Sequence, residues 1–217
     1  MQLYKIVVGQ LKSNCYIVKT ENNSCFIIDP GSDFDKIDKC IVTEKLIPKY
    51  IFLTHGHYDH IGAVPNLKVK YPDVKICISK EDSNCLMDGN ESLANIYGGY
   101  KQLPVQYDVI ITDGLTILID DVEVFCISTP GHTVGGVSYL VNQEVLFTGD
   151  VLFKGSVGRT DLNGGNSASL KNSIKKLYKV LAPSELKPIK IYPGHYFASS
   201  LEKEKLANQY VIEYLNN

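Results

Sequence analysis

Three of the chain's five histidines and an aspartate fall within the six residues His55-Gly56-His57-Tyr58-Asp59-His60. The other two histidines each follow a glycine, in Thr129-Pro130-Gly131-His132 and Tyr192-Pro193-Gly194-His195. In an extended segment His55 and His57 project to one side, while Asp59 and His60 leave the turn that follows and address a second point nearby. Neutral imidazole suits zinc and iron, and carboxylate suits harder ions; a catalytic site must gather such ligands and still leave one position for water. Scattered histidines ordinarily cap helices or face solvent. Five of five in glycine-adjacent loops, three of them clustered, argue for a metal centre instead. Asp150, in Thr148-Gly149-Asp150, falls in the same kind of loop, although on its own it would read as a turn-former.

Strands and helices must deliver these loops, and the hydrophobic period switches between two and about 3.6 along the chain. Gln2 to Val8, Asn14 to Lys19 and Ser24 to Asp29 read as strands joined by polar turns, an antiparallel opening. Ser32 with Asp35 makes a capping-box-like start to a helix striped by Phe34, Ile37, Ile41 and Leu46, and Pro48 is its expected stop. A strand over Tyr50 to Leu53 carries the histidine cluster at its carboxyl end. Ile61 to Tyr71 reads as partly helical despite Pro65, Val74 to Ser79 as a strand, and Glu81 to Met87 as a short helix. Residues 88–109, with Gly98-Gly99 between Tyr97 and Tyr100, show no period and read as a long loop; such loops tend to be functional or mobile.

In the second half, strands over Leu115 to Ile119, Val122 to Ser128, Gly136 to Val141 and Glu144 to Phe147 precede a helix striped by Leu170, Ile174, Leu177 and Leu181 and closed by Pro183. Ile189 to Tyr192 is a last short strand and Leu201 to Leu215 a last helix. Strands followed by a helix in each half suit two sheets packed face to face with helices outside. With no linker between the halves, residues 1–217 read as a single domain.

Composition narrows the function classes. The 217 residues are 44% hydrophobic and 21% charged with a formal net charge of −2, an ordinary globular balance without a basic footprint for nucleic acid or an anionic membrane. A small-molecule substrate is the expected partner. The amino-terminal Met1 to Val8 lacks the long apolar core of a signal peptide, and no later apolar run reaches membrane-spanning length, so the expected compartment is the cytoplasm. Six cysteines with no Cys-x-x-Cys pair read as buried free thiols.

Asn14-Cys15-Tyr16, Asp29-Pro30-Gly31, Thr54 to His60, Thr129 to Thr133, Thr148-Gly149-Asp150, Gly158-Arg159-Thr160-Asp161 and Pro193-Gly194-His195 resemble the motifs of the metallo-β-lactamase superfamily. Within it they are most similar to the small glyoxalase II-like hydrolases. The resemblance implies an α/β (α+β) fold, a four-layer αββα sandwich. It implies two divalent metal ions, zinc before iron or manganese, one on His55, His57 and His132 and one on Asp59, His60 and His195, with Asp150 bridging them. Asp59 and Asp150 would be the catalytic carboxylates, Asp59 steering water as well as ligating. Two cations about 3.5 to 4 Å apart share a water and hold it as hydroxide near neutral pH, so no serine or cysteine nucleophile is required. The expected reaction is hydrolysis of a thioester or related acyl bond. Asp29 resembles the family's early aspartate and is a candidate to orient a histidine N–H.

This chain also departs from that pattern. Glyoxalase II enzymes bind glutathione largely through a helical carboxyl-terminal domain, whereas only 22 residues, 196–217, follow His195 here, so that pocket does not carry over. Tyr196 stands where related small hydrolases have a glycine, and packing is its first reading. Arg159 reads as an internal partner of Asp161 before a clamp for a substrate carboxylate. The runner-up function is a persulfide dioxygenase with one iron on His55, His132 and Asp150. A β-lactamase is disfavoured by the lack of an export signal and by aspartate rather than cysteine at position 150. A nuclease would want a basic surface, and a non-catalytic binding module would not need seven intact ligand positions. Residues 88–109 are expected to cover the site as a lid hinged at Gly98-Gly99, with tyrosine contacts to substrate. Native metal, acyl group, thiol carrier and oligomeric state stay open.

Overall fold

The computed structural model describes residues 1–182 and 188–216. Strands β1 (Gln2–Val8), β2 (Ser13–Lys19), β3 (Ser24–Ile28), β4 (Ile47–Phe52), β5 (Lys75–Ser79) and β6 (Val109–Ile111) form one six-stranded sheet in sequential order. Its first three strands pair antiparallel and β3 to β6 pair parallel. Strands β7 (Thr116–Ile119), β8 (Val122–Ser128), β9 (Val137–Val141), β10 (Val145–Gly149), β13 (Lys190–Pro193) and β14 (Ser199–Ser200) form a second sheet in the order β14-β13-β10-β9-β8-β7. Between β10 and β13 runs a separate hairpin, β11 (Leu152–Phe153) with β12 (Ser156–Val157).

Alternation along each strand decides which layer its apolar residues serve. On β3, Cys25 and Ile27 pack with Ile17 and Ile51 against Ile37 and Ile41 of α1 (Phe34–Thr43) and Val64 and Leu67 of α3 (Val64–Lys70). Their strand neighbours Phe26 and Ile28 face the other way, joining Tyr16 and Phe52 against Val124, Tyr139 and Phe147 of the second sheet. On that sheet's outer side, Leu140 and Leu146 meet Leu170, Ile174 and Leu177 of α4 (Ser167–Leu181) and Val211 near the carboxyl terminus. Three apolar layers separated by two sheets make the expected αββα sandwich. The six cysteines are free, with Cys15, Cys25, Cys77 and Cys126 buried in these layers. No helix among the described residues is long and apolar enough to cross a membrane.

Most element boundaries differ from the sequence reading by a residue or two, and the larger differences have local causes. Helix α1 does not start with a Ser32 capping box: Asp33 occupies the cap in a left-handed conformation (φ 51°), and its carboxylate accepts from Gly9 N and Lys36 Nζ instead. Nor does Pro48 end that helix. The chain leaves it at Lys45 (φ 53°), and Pro48 sits inside β4 at a register shift, where a missing N–H is tolerated. The expected short helix near Glu81 is a single 3₁₀ turn over Ser83–Leu86. The last helix is two, α5 (Leu201–Ala207) and α6 (Gln209–Asn216), broken at Asn208. That buried amide donates to the carbonyls of Phe153 and Ser156 and to Glu204 Oε2, so the break props up the β11–β12 hairpin. Pro183, the expected end of α4, lies outside the described residues.

Candidate metal centre

Every histidine of the chain lies just beyond the carboxyl end of a strand, or one short helix further on. Strand β4 leads into Thr54–His57, and α2 (Tyr58–Ile61) carries Asp59 and His60. Strands β8, β10 and β13 lead to His132, Asp150 and His195. The two sheets are laced together at this end: Tyr139 Oη donates to the Leu53 carbonyl (2.6 Å), Val137 N to Thr54 O (2.8 Å) and Asn14 N to Gly194 O (2.7 Å). Two glycines are structurally required here. Gly149 turns left-handed (φ 51°) to aim Asp150 inward, and a Cβ on Gly194 would lie 2.2 Å from Asp150 Oδ1 and 2.6 Å from the His60 ring.

The structure brings the predicted residues together in two groups. Donor atoms of His55, His57 and His132 lie within 4.8 Å of one another, as do those of Asp59, His60 and His195. Asp150 stands between them, its Oδ2 3.6 Å from His132 Nε2 and 3.4 Å from His195 Nε2, and its Oδ1 3.6 Å from His60 Nε2. Backbone and hydroxyl partners fix the tautomers. His132 Nδ1–H donates to the Arg159 carbonyl (2.8 Å), so its Nε2 carries a lone pair. Thr54 Oγ1 donates to Asp29 Oδ2 (2.6 Å) and therefore accepts from His55 Nδ1–H (3.0 Å), which frees His55 Nε2. His60 Nδ1–H points at Asp29 Oδ2 (3.0 Å), which turns its Nε2 toward Asp59 and Asp150.

Three observations say that a cation fits. His55 Nε2 and Asp150 Oδ1 are buried and have no hydrogen-bond partner among the described residues. Ring nitrogens face each other at 3.0 Å between His57 and His132 and at 3.3 Å between His60 and His195, lone pairs and N–H groups converging on shared points. The charge states also divide. Burial, then the neighbouring imidazoles, push His55 well down and His57 to about 3, so both stay neutral and ligand-ready. In the second group burial also opposes charge, but the carboxylates Asp59, Asp150 and Asp29 overcome it and raise His60. Hydrogen bonds to Asp150 and Asp59 similarly raise His195 to about 9. This half of the site demands positive charge, which imidazolium supplies in the metal-free chain.

Two buried carboxylates serve as positioners. Asp29 is not free to ligate: Oδ1 accepts from Thr54 N (2.8 Å), and Oδ2 takes Thr54 Oγ1 and His60 Nδ1, the orienting part expected of it. Asp82 was not singled out by its sequence. It accepts from Gly56 N (3.0 Å), Gly135 N (2.7 Å) and Thr133 Oγ1 (2.7 Å), tying the His55–His57 loop to the His132 loop. Burial raises its pKa against these bonds. An aspartate following Glu81 in a polar stretch gives no local hint of such partners.

The site opens into a cleft of about 820 Å³ walled by Leu11, Leu93, Tyr97, Phe153, Arg159 and Tyr196 among others. Arg159 is paired with Asp161 through Nε and Nη2, both at 2.7 Å, as its sequence suggested. Tyr196 departs from the packing reading. It is 69% exposed on the cleft rim, held left-handed (φ 65°) because Lys5 Nζ and Asn14 Nδ2 both bond its carbonyl. Residues 88–109 reach the cleft at Leu93 and Tyr97, and Tyr97 is 62% exposed. Tyr100 instead leans on Tyr58, ring centroids 6.4 Å apart. Tyr97→Ala is therefore expected to change KM or substrate preference several-fold while metal content and melting temperature hold. Tyr100→Ala should act mainly on the melting temperature. Equal kinetic effects from the two variants would remove this distinction.

A sandwich with five histidines and two aspartates gathered at one end defines a class of protein. The chain belongs to the metallo-beta-lactamase superfamily, whose family model matches residues 8–195. It is similar to the hydroxyacylglutathione hydrolase GloC of Haemophilus influenzae, 31% identical over 97% of this chain and 98% of that one. Among solved structures it resembles the B3 metallo-beta-lactamase BLEG-1, with TM-score 0.89 and 29% identity over 97% of this chain and 99% of that chain. It also resembles TTHA1623, crystallised in a di-iron-bound form, with TM-score 0.83 and 30% identity over 95% and 99% of the two chains.

Proposed function

We propose that the chain, as one domain, is a binuclear metallohydrolase that cleaves a thioester or related acyl bond of a small molecule. His55, His57 and His132 would hold one divalent ion and Asp59, His60 and His195 a second, with Asp150 shared. The observation that carries this reading is the pair of buried acceptors without a hydrogen-bond partner among the described residues, His55 Nε2 and Asp150 Oδ1, the second on a residue that lines the open cleft. The relative whose name states hydrolysis of hydroxyacylglutathione supports acyl-thioester chemistry. When bound, the ions supply a water acidic enough to attack near neutral pH and an electrophile for the acyl oxygen.

The chain's own residues do the rest. Ser13 Oγ donates to Asp59 Oδ2 (2.8 Å) and fixes that carboxylate at the cleft wall, where it would orient the attacking water by accepting its hydrogen bond. Burial would raise the pKa of Asp59, but His60 and His195 overcome that and hold it well below the usual carboxylate range, so it stays an ionised hydrogen-bond acceptor. The apolar lining holds bulk water off the bound acyl group. Zinc is the proposed ion, iron the alternative that the di-iron neighbour illustrates.

Purified protein saturated with zinc is expected to carry about two ions per chain, because the donor set exceeds what one tetrahedral ion uses. It should also release thiol from thioesters. One ion at saturation, together with oxygen uptake on glutathione persulfide, would replace this reading with the mononuclear dioxygenase.

A further inference from the structure

Building on the thioester reading, we infer that the thiol carrier of the substrate is uncharged, and that the cleft disfavours the carboxylates of glutathione. A cleft of about 820 Å³ is far larger than a small acyl group needs, so its outer part must take the other arm of the substrate. Beyond the histidines and aspartates its walls are mainly apolar and aromatic, Leu11, Leu93, Phe153 and Leu162 with Tyr97 and Tyr196 among them, and Ser156 and Arg159 are the polar exceptions.

The cations nearest the cleft are each held by a partner in the protein. Among the described lining residues the one lysine or arginine is Arg159, and Asp161 holds the Nε–Nη2 edge of its guanidinium in a bidentate pair that compensates its charge. Lys5 reaches the rim but donates to the Tyr196 carbonyl at 2.7 Å. The adjoining hollow of about 370 Å³, between residues 9–11, 31–33 and 97–100, adds Asp33, and Lys36 is bound to that carboxylate. A carboxylate entering here loses water against apolar walls and meets, among the described lining residues, no lysine or arginine whose charge is not already compensated by a carboxylate. A neutral arm loses little and covers exposed apolar surface. Tyr196 is built for such contact, its backbone clamped at the carbonyl and its ring set edge-on to Phe153 at 5.7 Å.

In the reaction the oxygen of water bonds to the acyl carbon and the carbon–sulfur bond breaks. One proton goes to the departing sulfur and one to solvent, leaving a carboxylate and a neutral thiol, with no change of oxidation state. A neutral product thiol leaves this cleft without having to break an ion pair.

The test uses zinc-loaded protein and carriers matched in their acyl group, S-D-lactoyl-N-acetylcysteamine and S-D-lactoylglutathione. Calorimetric binding of the non-hydrolysable thioethers S-hexyl-N-acetylcysteamine and S-hexylglutathione gives a readout independent of turnover. Both kcat/KM and affinity are expected to favour the neutral carrier about ten-fold, the scale of stranding one desolvated polar group. Asp161→Asn, an exposed change, releases Arg159 and should narrow the ratio about two- to five-fold through gain on the glutathione side. Equal or better use of glutathione in both readouts overturns the inference and leaves the thioester reading standing. Turnover of neither thioester overturns both, and an unchanged ratio in Asp161→Asn overturns the masking of Arg159.

Discussion

Replacing Asp150 with Ala is expected to lower thioester turnover by about a hundred-fold or more and to reduce metal binding at both groups of ligands. No other carboxylate among the described residues faces His60, His132 and His195 together, at 3.4–3.6 Å. Burial works against its ionisation, yet the surrounding imidazoles hold its pKa down to about 2, so it is an anion at every working pH. Its Oδ1 has no hydrogen-bond partner among the described residues, and Gly149 and Gly194 have the conformation and the bare Cα that let it stand there. Taking it away removes one negative charge from both halves of the site at once. Asp150→Asn, which keeps the shape and loses the charge, should behave almost as badly. Metal analysis beside a thioester assay checks this, and two retained ions with near-normal turnover in the Ala variant would end the shared-ligand assignment.

The ligand groups were legible in the sequence because each is local: histidine, glycine and aspartate follow one another at strand ends, and strand ends show in the alternation of apolar residues. The layers were legible for the same reason, since Cys25/Ile27 and Phe26/Ile28 sort to opposite faces by period alone. What escaped was decided across the chain. Asp82 lies 26 residues from Gly56 and 53 from Gly135, and only the meeting of the two sheets makes it a tie between histidine loops. The bend at Asn208 depends on carbonyls some fifty residues earlier, at Phe153 and Ser156, so a continuous apolar stripe hid it. Tyr196 misled because aromatic residues ordinarily pack inward, whereas its exposed, left-handed conformation is imposed by Lys5 and Asn14 from β1 and β2. Tyr97 and Tyr100 looked equivalent, and only Tyr58 beneath one of them separates their roles.

Asp29→Ala should be the most destabilising of the single changes considered, about 4 kcal/mol, and should loosen metal as well. Asp29 is 1% exposed, and its two oxygens accept the Thr54 N–H, the Thr54 hydroxyl and the His60 ring N–H. Each buried donor left without an acceptor costs about 1–3 kcal/mol, and breaking a buried charged cluster about 3–5 kcal/mol. The backbone adds to this, because Asp29 sits left-handed (φ 50°), a region aspartate tolerates better than alanine. At about 2–4 °C per kcal/mol for a chain of this size, the metal-free protein should melt roughly 8–16 °C lower. Asp29→Asn keeps an acceptor for Thr54 N and the backbone tolerance, and should recover about half of the loss. The damage should spread to both ligand groups rather than one. His60 loses its orienting partner directly, and His55 loses it through Thr54, whose hydroxyl accepts from His55 only while it donates to Asp29. A variant that melts like the wild type and binds metal as tightly would mean that this buried carboxylate neither braces the loop nor sets the histidine tautomers.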